Sequence, residues 1–166
     1  MPDADVRVAR PDELEMLPAL ERAADQLFAT VGISPVFEPA TVAEYAAAAV
    51  VLVAGDPPVG SARLSGLDGT AYLQQLSVHP DRARRGIGRA LLEAACGWAV
   101  GQGYRAVTLI TYRDIAWNGP FYASAGFVPL DELGAGLAAE WRHDQADRPA
   151  RYGARVAMVR HLGPAG

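Results

Sequence analysis

The segment LSVHPDRARRGIGRALL, Leu76–Leu92, decides the fold prediction for this chain. An apolar strand end at Leu76–Val78 leads into a loop, and Gly86-Ile87-Gly88 then opens a helix with an apolar stripe. A glycine-rich turn before a helix leaves backbone N–H groups free, and the helix dipole adds partial positive charge there. The approach to the turn also holds three arginines, Arg82, Arg84 and Arg85. The segment therefore predicts a site for a phosphorylated ligand.

The length and composition of the chain are those of one globular domain spanning residues 1–166. The net charge of −4 disfavours nucleic acid as a partner. The single cysteine, Cys96, excludes an internal disulfide and suits a reducing compartment. No apolar run approaches the roughly 20 residues of a membrane span, and the acidic residues 1–5 lack a signal-peptide pattern. We expect a cytoplasmic protein with no nucleic-acid partner and no membrane partner.

Hydrophobic periodicity predicts the order of elements around this segment. Val6–Val8 alternates as a short strand, and helical segments follow it. Three strands precede the glycine turn, with an Asp68-Gly69 type I′ hairpin between the last two. The helix after the turn leads to a strand at Ala106–Thr111, a crossover that predicts parallel pairing. A short helix, an insert at 131–150 with its own helix, and a final strand at Arg155–Leu162 complete the chain. The predicted fold class is α+β, a mixed antiparallel and parallel sheet of about seven strands flanked by about four helices.

Two common phosphate-binding folds do not fit the glycine turn. In a dinucleotide-binding Gly-x-Gly-x-x-Gly motif the third glycine would stand at Leu91, and the turn here lies in mid-chain after hairpins. A P-loop needs Gly-Lys-Ser/Thr, which the sequence lacks.

Two segments carry a resemblance to a known family. The first comprises Leu76–Pro80 with Arg85–Leu92, and the second comprises Phe121-Tyr122 with Ala125-Gly126-Phe127. In this order they resemble the acetyl-CoA signatures of the GCN5-related N-acetyltransferase (GNAT) superfamily, and the likeness covers nearly the whole chain.

The chain departs from the family pattern at two positions. Ala83 stands where the first signature has Gln or Arg, and Arg82 or Arg84 can substitute for it. Many relatives carry Asn where this chain has Ile115; the nearby Asn118 either contacts the pantetheine arm or caps a helix.

The resemblance implies a binding mode for acetyl-CoA. Backbone N–H groups of Arg84–Arg89 would hold the pyrophosphate, and the extended Leu76–Val78 would pair with the pantetheine amides where the parallel strands splay apart. The implied cofactor-binding residues are Leu76, Ser77, Val78, Arg84, Arg85, Gly86, Ile87, Gly88, Arg89, Asn118 and Tyr122.

The resemblance also assigns catalytic roles. Tyr122 stands at the family position of the general acid that protonates the leaving thiolate. The N–H of Leu76 is a candidate donor to the oxyanion. Gln74 stands where relatives often have Glu or His; since an amide cannot take a proton, Gln74 would orient a water or bind substrate. No Cys or Ser is placed as a nucleophile, which favours direct attack in a ternary complex over an acyl-enzyme.

The acceptor side is less defined by sequence. Glu21, Tyr112 and Asp114 are other candidates for the base, while an Arg113–Asp114 surface pair is the plainer interpretation. Trp117, Phe28, Phe37 and Trp141 either line the acceptor pocket or serve as core. The predicted substrate-binding residues are Glu21, Phe28, Tyr72, Gln74, Tyr112, Asp114 and Trp117. His79 is expected in a turn, and no metal is expected because the histidines lack partners at ligand spacing.

These observations predict an N-acetyltransferase that moves acetyl from acetyl-CoA to a primary amine of a small molecule or peptide. The alternatives are an acyltransferase that uses another acyl-CoA, and a CoA-binding sensor or interaction module without turnover. Dimerisation is common in the family, and the alternating final strand could serve a homodimer.

Overall fold

The computed structural model describes residues 5–33 and 37–163. Of the acidic N-terminal residues, 1–4 therefore lie outside the described part. Seven strands are described: β1 (Val6–Val8), β2 (Val50–Ala54), β3 (Gly60–Leu67), β4 (Thr70–Val78), β5 (Ala106–Tyr112), β6 (Val128–Pro129) and β7 (Arg155–His161). Five α-helices are described: α1 (Leu17–Asp25), α2 (Val42–Ala47), α3 (Ile87–Gly101), α4 (Gly119–Ser124) and α5 (Ala135–Asp147).

The strands form one mixed sheet in the order β1-β2-β3-β4-β5-β7-β6. The pairs β1–β2, β2–β3, β5–β7 and β6–β7 are antiparallel. β4 and β5 are parallel, with Ala71 opposite Val107 and Tyr72 opposite Thr108. The predicted α+β class with a seven-stranded mixed sheet is confirmed, and the insert helix α5 raises the number of described α-helices to five.

The hairpin between β3 and β4 has the predicted turn chemistry. Asp68 and Gly69 both have positive φ, 54° and 76°, as a type I′ turn requires. Asp68 has a second role, because its two carboxylate oxygens accept hydrogen bonds from the N–H groups of Gly136 and Leu137, each at 2.8 Å. The turn thus also caps the first turn of α5, a contact across 68 or more residues that periodicity does not reveal.

The chain forms two compact units, and the first comprises residues 1–65 and 73–97. β2 is buried throughout because it carries Val-Val-Leu-Val-Ala between two packed faces. On one face, Val51 and Val53 pack with a cluster from α1 and α2 that comprises Leu17, Leu20, Ala40 and Tyr45. On the other face α3 lies close to Gly60, where an added Cβ would stand 2.9 Å from Leu91 Cδ1.

The second unit comprises residues 66–72 and 98–166. β5 pairs with β7 along its full length, from Ala106 opposite His161 to Tyr112 opposite Arg155. α5 is fixed near its C-terminal end by a bidentate ion pair, in which Arg155 Nε and Nη2 donate to Asp144 at 2.8 and 2.6 Å. Both side chains are almost fully buried.

Candidate active site

The glycine loop before α3 leaves backbone N–H groups without an acceptor in the helix. Arg84 and Gly86 have positive φ, 64° and 82°, and an added Cβ at Gly86 would meet nothing within 4 Å. The first α-helical hydrogen bond runs from Ala90 N to Gly86 O at 2.9 Å. The N–H groups of Ile87, Gly88 and Arg89 precede it, so the helix itself supplies them no acceptor. The first turn contains no acidic residue. This end of α3 therefore suits an anionic ligand.

β4 presents alternate side chains to its two faces. Ala71, Leu73 and Ser77 are buried, whereas the predicted set at Tyr72, Gln74, Leu76 and Val78 is half-buried. The buried Ser77 hydroxyl accepts a hydrogen bond from Gln75 Nε2 at 3.2 Å.

Gln74 is oriented by a neighbouring strand. Its Oε1 accepts a hydrogen bond from Ser65 Oγ of β3 at 3.1 Å. With the oxygen engaged in this way, the amide Nε2 is the group that can donate to a water or a substrate.

The surroundings of Glu21 indicate a structural role. Its side chain is buried, and its carboxylate accepts hydrogen bonds from Tyr45 Oη at 2.8 Å and from Ala40 N at 2.7 Å. Burial, and then the Glu21 charge, raises the pKa of Tyr45. Both oxygens of Glu21 hold the segment that leads into α2, and this placement favours a positioning role over proton transfer.

Two other residues of the first unit match their plainer interpretations. His79 Nδ1 accepts from Asp81 N at 3.2 Å and caps a short 3₁₀ turn, as expected for a turn residue. Cys96 is buried in α3. Phe28 and Phe37 are half-buried.

In the second unit, Tyr122 lies on α4 in an aromatic setting. Its ring makes edge contacts with Phe121 and Phe127, at centroid distances of 5.1 and 5.7 Å. Burial raises the pKa of Tyr122, and the nearby Arg155 charge opposes that rise. The hydroxyl therefore holds its proton through the neutral range, as a proton or hydrogen-bond donor must.

Asn118 does not cap α4 with its side chain. Its Nδ2 donates to Trp117 O at 2.9 Å, and no side-chain capping bond forms among the described residues. Asn118 therefore occupies the N-cap position of α4 without a side-chain capping bond, and its contact with a ligand stays a prediction. Trp117 is half-buried beside it.

The other candidates of the second unit differ sharply in exposure. Tyr112 is 1% exposed, and the Arg155 guanidinium stacks on its ring at 4.3 Å from the centroid. This setting favours a core role for Tyr112. Asp114 is exposed and paired with Arg113 at 2.9 Å, and the pKa of Asp114 is lowered by that partner. The surface pair considered from sequence is therefore present.

Sequence reasoning missed three features near these residues. They are the Asp68 cap of α5, the buried Asp144–Arg155 pair and the half-buried Arg63 of β3. The first two join residues far apart in the chain, so no local pattern signals them. A signal for Arg63 exists in the sequence, since Ser61, Arg63 and Ser65 place polar groups at alternate positions of a strand expected in the sheet interior.

In the described part of the chain, no group of three or more His, Cys, Asp or Glu side chains is arranged to hold a metal ion. None of the described helices is long and apolar enough to cross a membrane.

Comparison with known proteins identifies a family match. Residues 15–127 match a family model described as the acetyltransferase (GNAT) family. The match includes α1 through α4 and confirms the resemblance inferred from the two sequence signatures.

Solved structures share the fold at low identity. PaiA N-acetyltransferase from Thermoplasma acidophilum, in complex with coenzyme A, is 18% identical with a TM-score of 0.70, and the match covers 95% of this chain and 98% of that one. The ribosomal-protein-S18-alanine N-acetyltransferase from Escherichia coli is 19% identical with a TM-score of 0.68, covering 98% and 96%. N-acetylglutamate synthase from Neisseria gonorrhoeae, with coenzyme A and N-acetyl-glutamate, is 19% identical with a TM-score of 0.72, covering 96% of this chain and 35% of that one. Acetyl-CoA is the cofactor typical of such proteins, and their named acceptors differ.

Proposed function

Because this chain belongs to the acetyltransferase (GNAT) family, we propose that it transfers an acetyl group from acetyl-CoA to a primary amine of a small molecule or a peptide. The observation that carries the proposal is the glycine loop before α3. Its N–H groups without helical acceptors and its positive-φ residues, Arg84 and Gly86, suit an anion, and the first helical turn holds no acidic residue. Coenzyme A supplies the matching anion in its pyrophosphate.

The cofactor binds along two segments of the first unit. The N–H groups of Arg84–Arg89 hold the pyrophosphate, and the exposed Arg84, Arg85 and Arg89 add positive charge. The extended backbone at Leu76–Val78 pairs with the pantetheine amides. The family resemblance adds Asn118 and Tyr122 to the proposed cofactor-binding residues.

The reaction is a direct acyl transfer. The amine nitrogen attacks the thioester carbonyl, a C–N bond forms, and the C–S bond breaks to release the coenzyme A thiolate. The N–H of Leu76 donates to the carbonyl oxygen as negative charge develops there. Tyr122 donates to the departing sulfur. Since a thiol has a pKa near 8.5 and burial raises that of Tyr122, the tyrosine stabilises the thiolate as a hydrogen-bond donor.

The attacking amine must lose a proton. Gln74, oriented by Ser65, positions a water that accepts it. Glu21 and Asp114 are both occupied by protein partners, which supports the water over a carboxylate base.

We further propose that residues 1–166 act as one catalytic domain in the cytoplasm, where coenzyme A and a reducing environment for Cys96 coincide. A homodimer through the final strand would use the part of β7 outside Met158 and Val159, because β6 pairs there. Light scattering on the purified chain measures the oligomeric state.

Thiol release from acetyl-CoA with a panel of primary amines tests the proposal. Amine-dependent release supports transfer, whereas binding of acetyl-CoA without release under any amine supports the sensor alternative. Propionyl-CoA and succinyl-CoA in the same assay test the acyl-group alternative, and acetyl-CoA is expected to give the highest kcat/KM.

A matched pair of glycine variants tests whether the glycine loop before α3 binds acetyl-CoA. Gly86 and Gly103 stand at opposite ends of α3 with φ of 82° and 86°, and neither meets an atom within 4 Å of an added Cβ. Alanine at either position costs about 1–2 kcal/mol of backbone strain. We expect Gly86→Ala alone to weaken acetyl-CoA binding measured by calorimetry, by roughly tenfold, with Gly103→Ala as the control. Equal affinities in the two variants would contradict the loop assignment.

A further inference from the structure

Arg63 stands on the same face of β3 as Ser65, whose hydroxyl contacts Gln74. Ser61, Arg63 and Ser65 alternate along the strand and so project to one side of the sheet. Arg63 is opposite Val51 in the β2–β3 ladder, and Val51 packs with the α1 and α2 cluster. Ser65 on the same side donates to Gln74, the residue proposed to position the water that accepts the amine's proton. Arg63 therefore lies two positions along β3 from Ser65, which contacts Gln74 directly.

The protein gives the Arg63 guanidinium few partners. Its Nε is buried and makes no hydrogen bond, and its carbon Cζ lies 5.4 Å from the centroid of the Tyr45 ring. Within residues 5–33 and 37–163, no carboxylate lies at ion-pair distance from Arg63. Glu21, the buried carboxylate of this cluster, has its oxygens bonded to Tyr45 and Ala40.

Such an arginine weakens the fold it stands in. A buried donor without an acceptor loses its bonds to water and gains none. A half-buried cation without an anion at ion-pair distance adds a desolvation cost that the contact with the Tyr45 ring offsets only in part. Both defects are removed at once if an anion from a ligand docks on the guanidinium, whose fork of N–H groups matches a carboxylate.

We propose that Arg63 binds a carboxylate of the acceptor, so that the acceptor is a carboxylate-bearing amine. This inference rests on the proposed acetyl transfer and names the substrate class of that same site. Two residues along a strand correspond to about 7 Å, a spacing that suits a molecule of amino-acid size. The carboxylate comes from a free amino acid or from an acidic residue of a peptide, and separate arms of the experiment distinguish the two sources.

The experiment compares each acceptor with its carboxamide. Amino acids are assayed as free acids and as amides, and short peptides are assayed with Glu or Gln beside the free N-terminus. We expect wild type to favour the acid in one arm by about 10- to 100-fold in kcat/KM, the range for a charge-assisted hydrogen bond. Arg63→Met should reduce that ratio to near one by raising KM for the acid, with kcat and the amide's KM almost unchanged. Arg63→Lys should retain part of the preference.

Arg105 supplies the control, since it is exposed and directly precedes β5. Arg105→Met removes the same charge and should leave the acid-to-amide ratio at the wild-type value. Amine-dependent turnover with equal efficiency for acid and amide in wild type would overturn this inference and leave the proposed function standing. If no acceptor gives amine-dependent turnover, the proposed function is overturned, and this inference with it. If Arg63→Met fails to fold, the wild-type comparison tests the substrate class and Arg63→Lys tests the residue.

Discussion

The surroundings of Tyr122 match the hydrogen-bond donor role that we propose for it. It is buried between Phe121 and Phe127, and that burial raises its pKa from 10.0. The neutral hydroxyl therefore persists above pH 10, so deprotonation of Tyr122 should not limit activity at lower pH. The hydroxyl is available as a donor at every pH at which the enzyme would be assayed.

Removing that hydroxyl should lower turnover and spare the fold. We expect Tyr122→Phe to reduce kcat by about 10²-fold, the lower end for loss of one donor to developing negative charge, while acetyl-CoA affinity changes little. Steady-state kinetics with thiol detection measures this, and Tyr104→Phe in the same unit is the control. Full activity in Tyr122→Phe would remove the tyrosine from the mechanism.

Single residues also show which features of the site the sequence predicts and which it does not. The half-buried face of Tyr72, Gln74, Leu76 and Val78 follows from the period of two that every strand imposes. The burial of Tyr112 and the engagement of Glu21 by Tyr45 depend on partners from other elements. Chain spacing contains no information about those partners, so a carboxylate on an amphipathic helix remains ambiguous until its neighbours are known.

At the scale of elements, α5 is held by a residue of the β3–β4 hairpin. Asp68 accepts from the N–H groups of Gly136 and Leu137, and glycine at 134 and 136 leaves room for this approach, because added Cβ atoms would lie 2.6 Å from Asp68 Oδ2 and 2.5 Å from Leu67 Cδ1. The sequence predicts the helix of the insert but not its anchor.

Substitutions of Asp68 should distinguish its role in the β3–β4 turn from its role as the cap of α5. Asp68→Gly keeps the positive φ of a type I′ turn and removes both acceptors, so we expect a loss of about 1–2 kcal/mol in the free energy of unfolding. Asp68→Asn keeps one oxygen and should lose less. Urea denaturation measures both, and amide exchange at Gly136 and Leu137 should accelerate in Asp68→Gly. Unchanged exchange at these amides would show that the cap is not formed in solution.

Near the start of the chain, Glu13 ties β1 to the turn before α1. Its buried carboxylate accepts from Arg7 at 2.7 and 2.9 Å and from Arg10 N at 2.8 Å. The Arg7 hydrogen bonds, despite the opposing effect of burial, lower the pKa of Glu13 from 4.5 to about 2.

The pH dependence of stability follows from the lowered pKa of Glu13. A lowered pKa in the folded state means that the contribution of Glu13 is complete above pH 4.5 and is lost as the pH falls toward about 2. Glu13→Gln should be less stable than wild type at pH 7 by about 1–3 kcal/mol, and the difference should shrink between pH 4.5 and 2. Urea unfolding across that range measures it. A difference independent of pH would assign the loss to packing instead of charge.

At the scale of the whole molecule, the order of elements and the two signatures predict the family, while the acceptor requires the structure. The match over residues 15–127 includes the donor-side segments Leu76–Leu92 and Phe121–Phe127. Structural neighbours with the same fold carry names with different acceptors, a ribosomal protein's alanine in one and glutamate in another. Because function depends on side chains placed on a shared fold, we expect acceptor choice to depend on such side chains, and Arg63 is the one that we propose for this chain.

The most direct test of the central claim follows the acetyl group itself. Acetyl-CoA labelled with ¹³C in the acetyl group is incubated with the protein and an amine, and the products are identified by mass spectrometry. Acetyl transfer predicts one labelled amide formed for each coenzyme A thiol released. Label that remains in acetyl-CoA, or that appears only as free acetate, would contradict it.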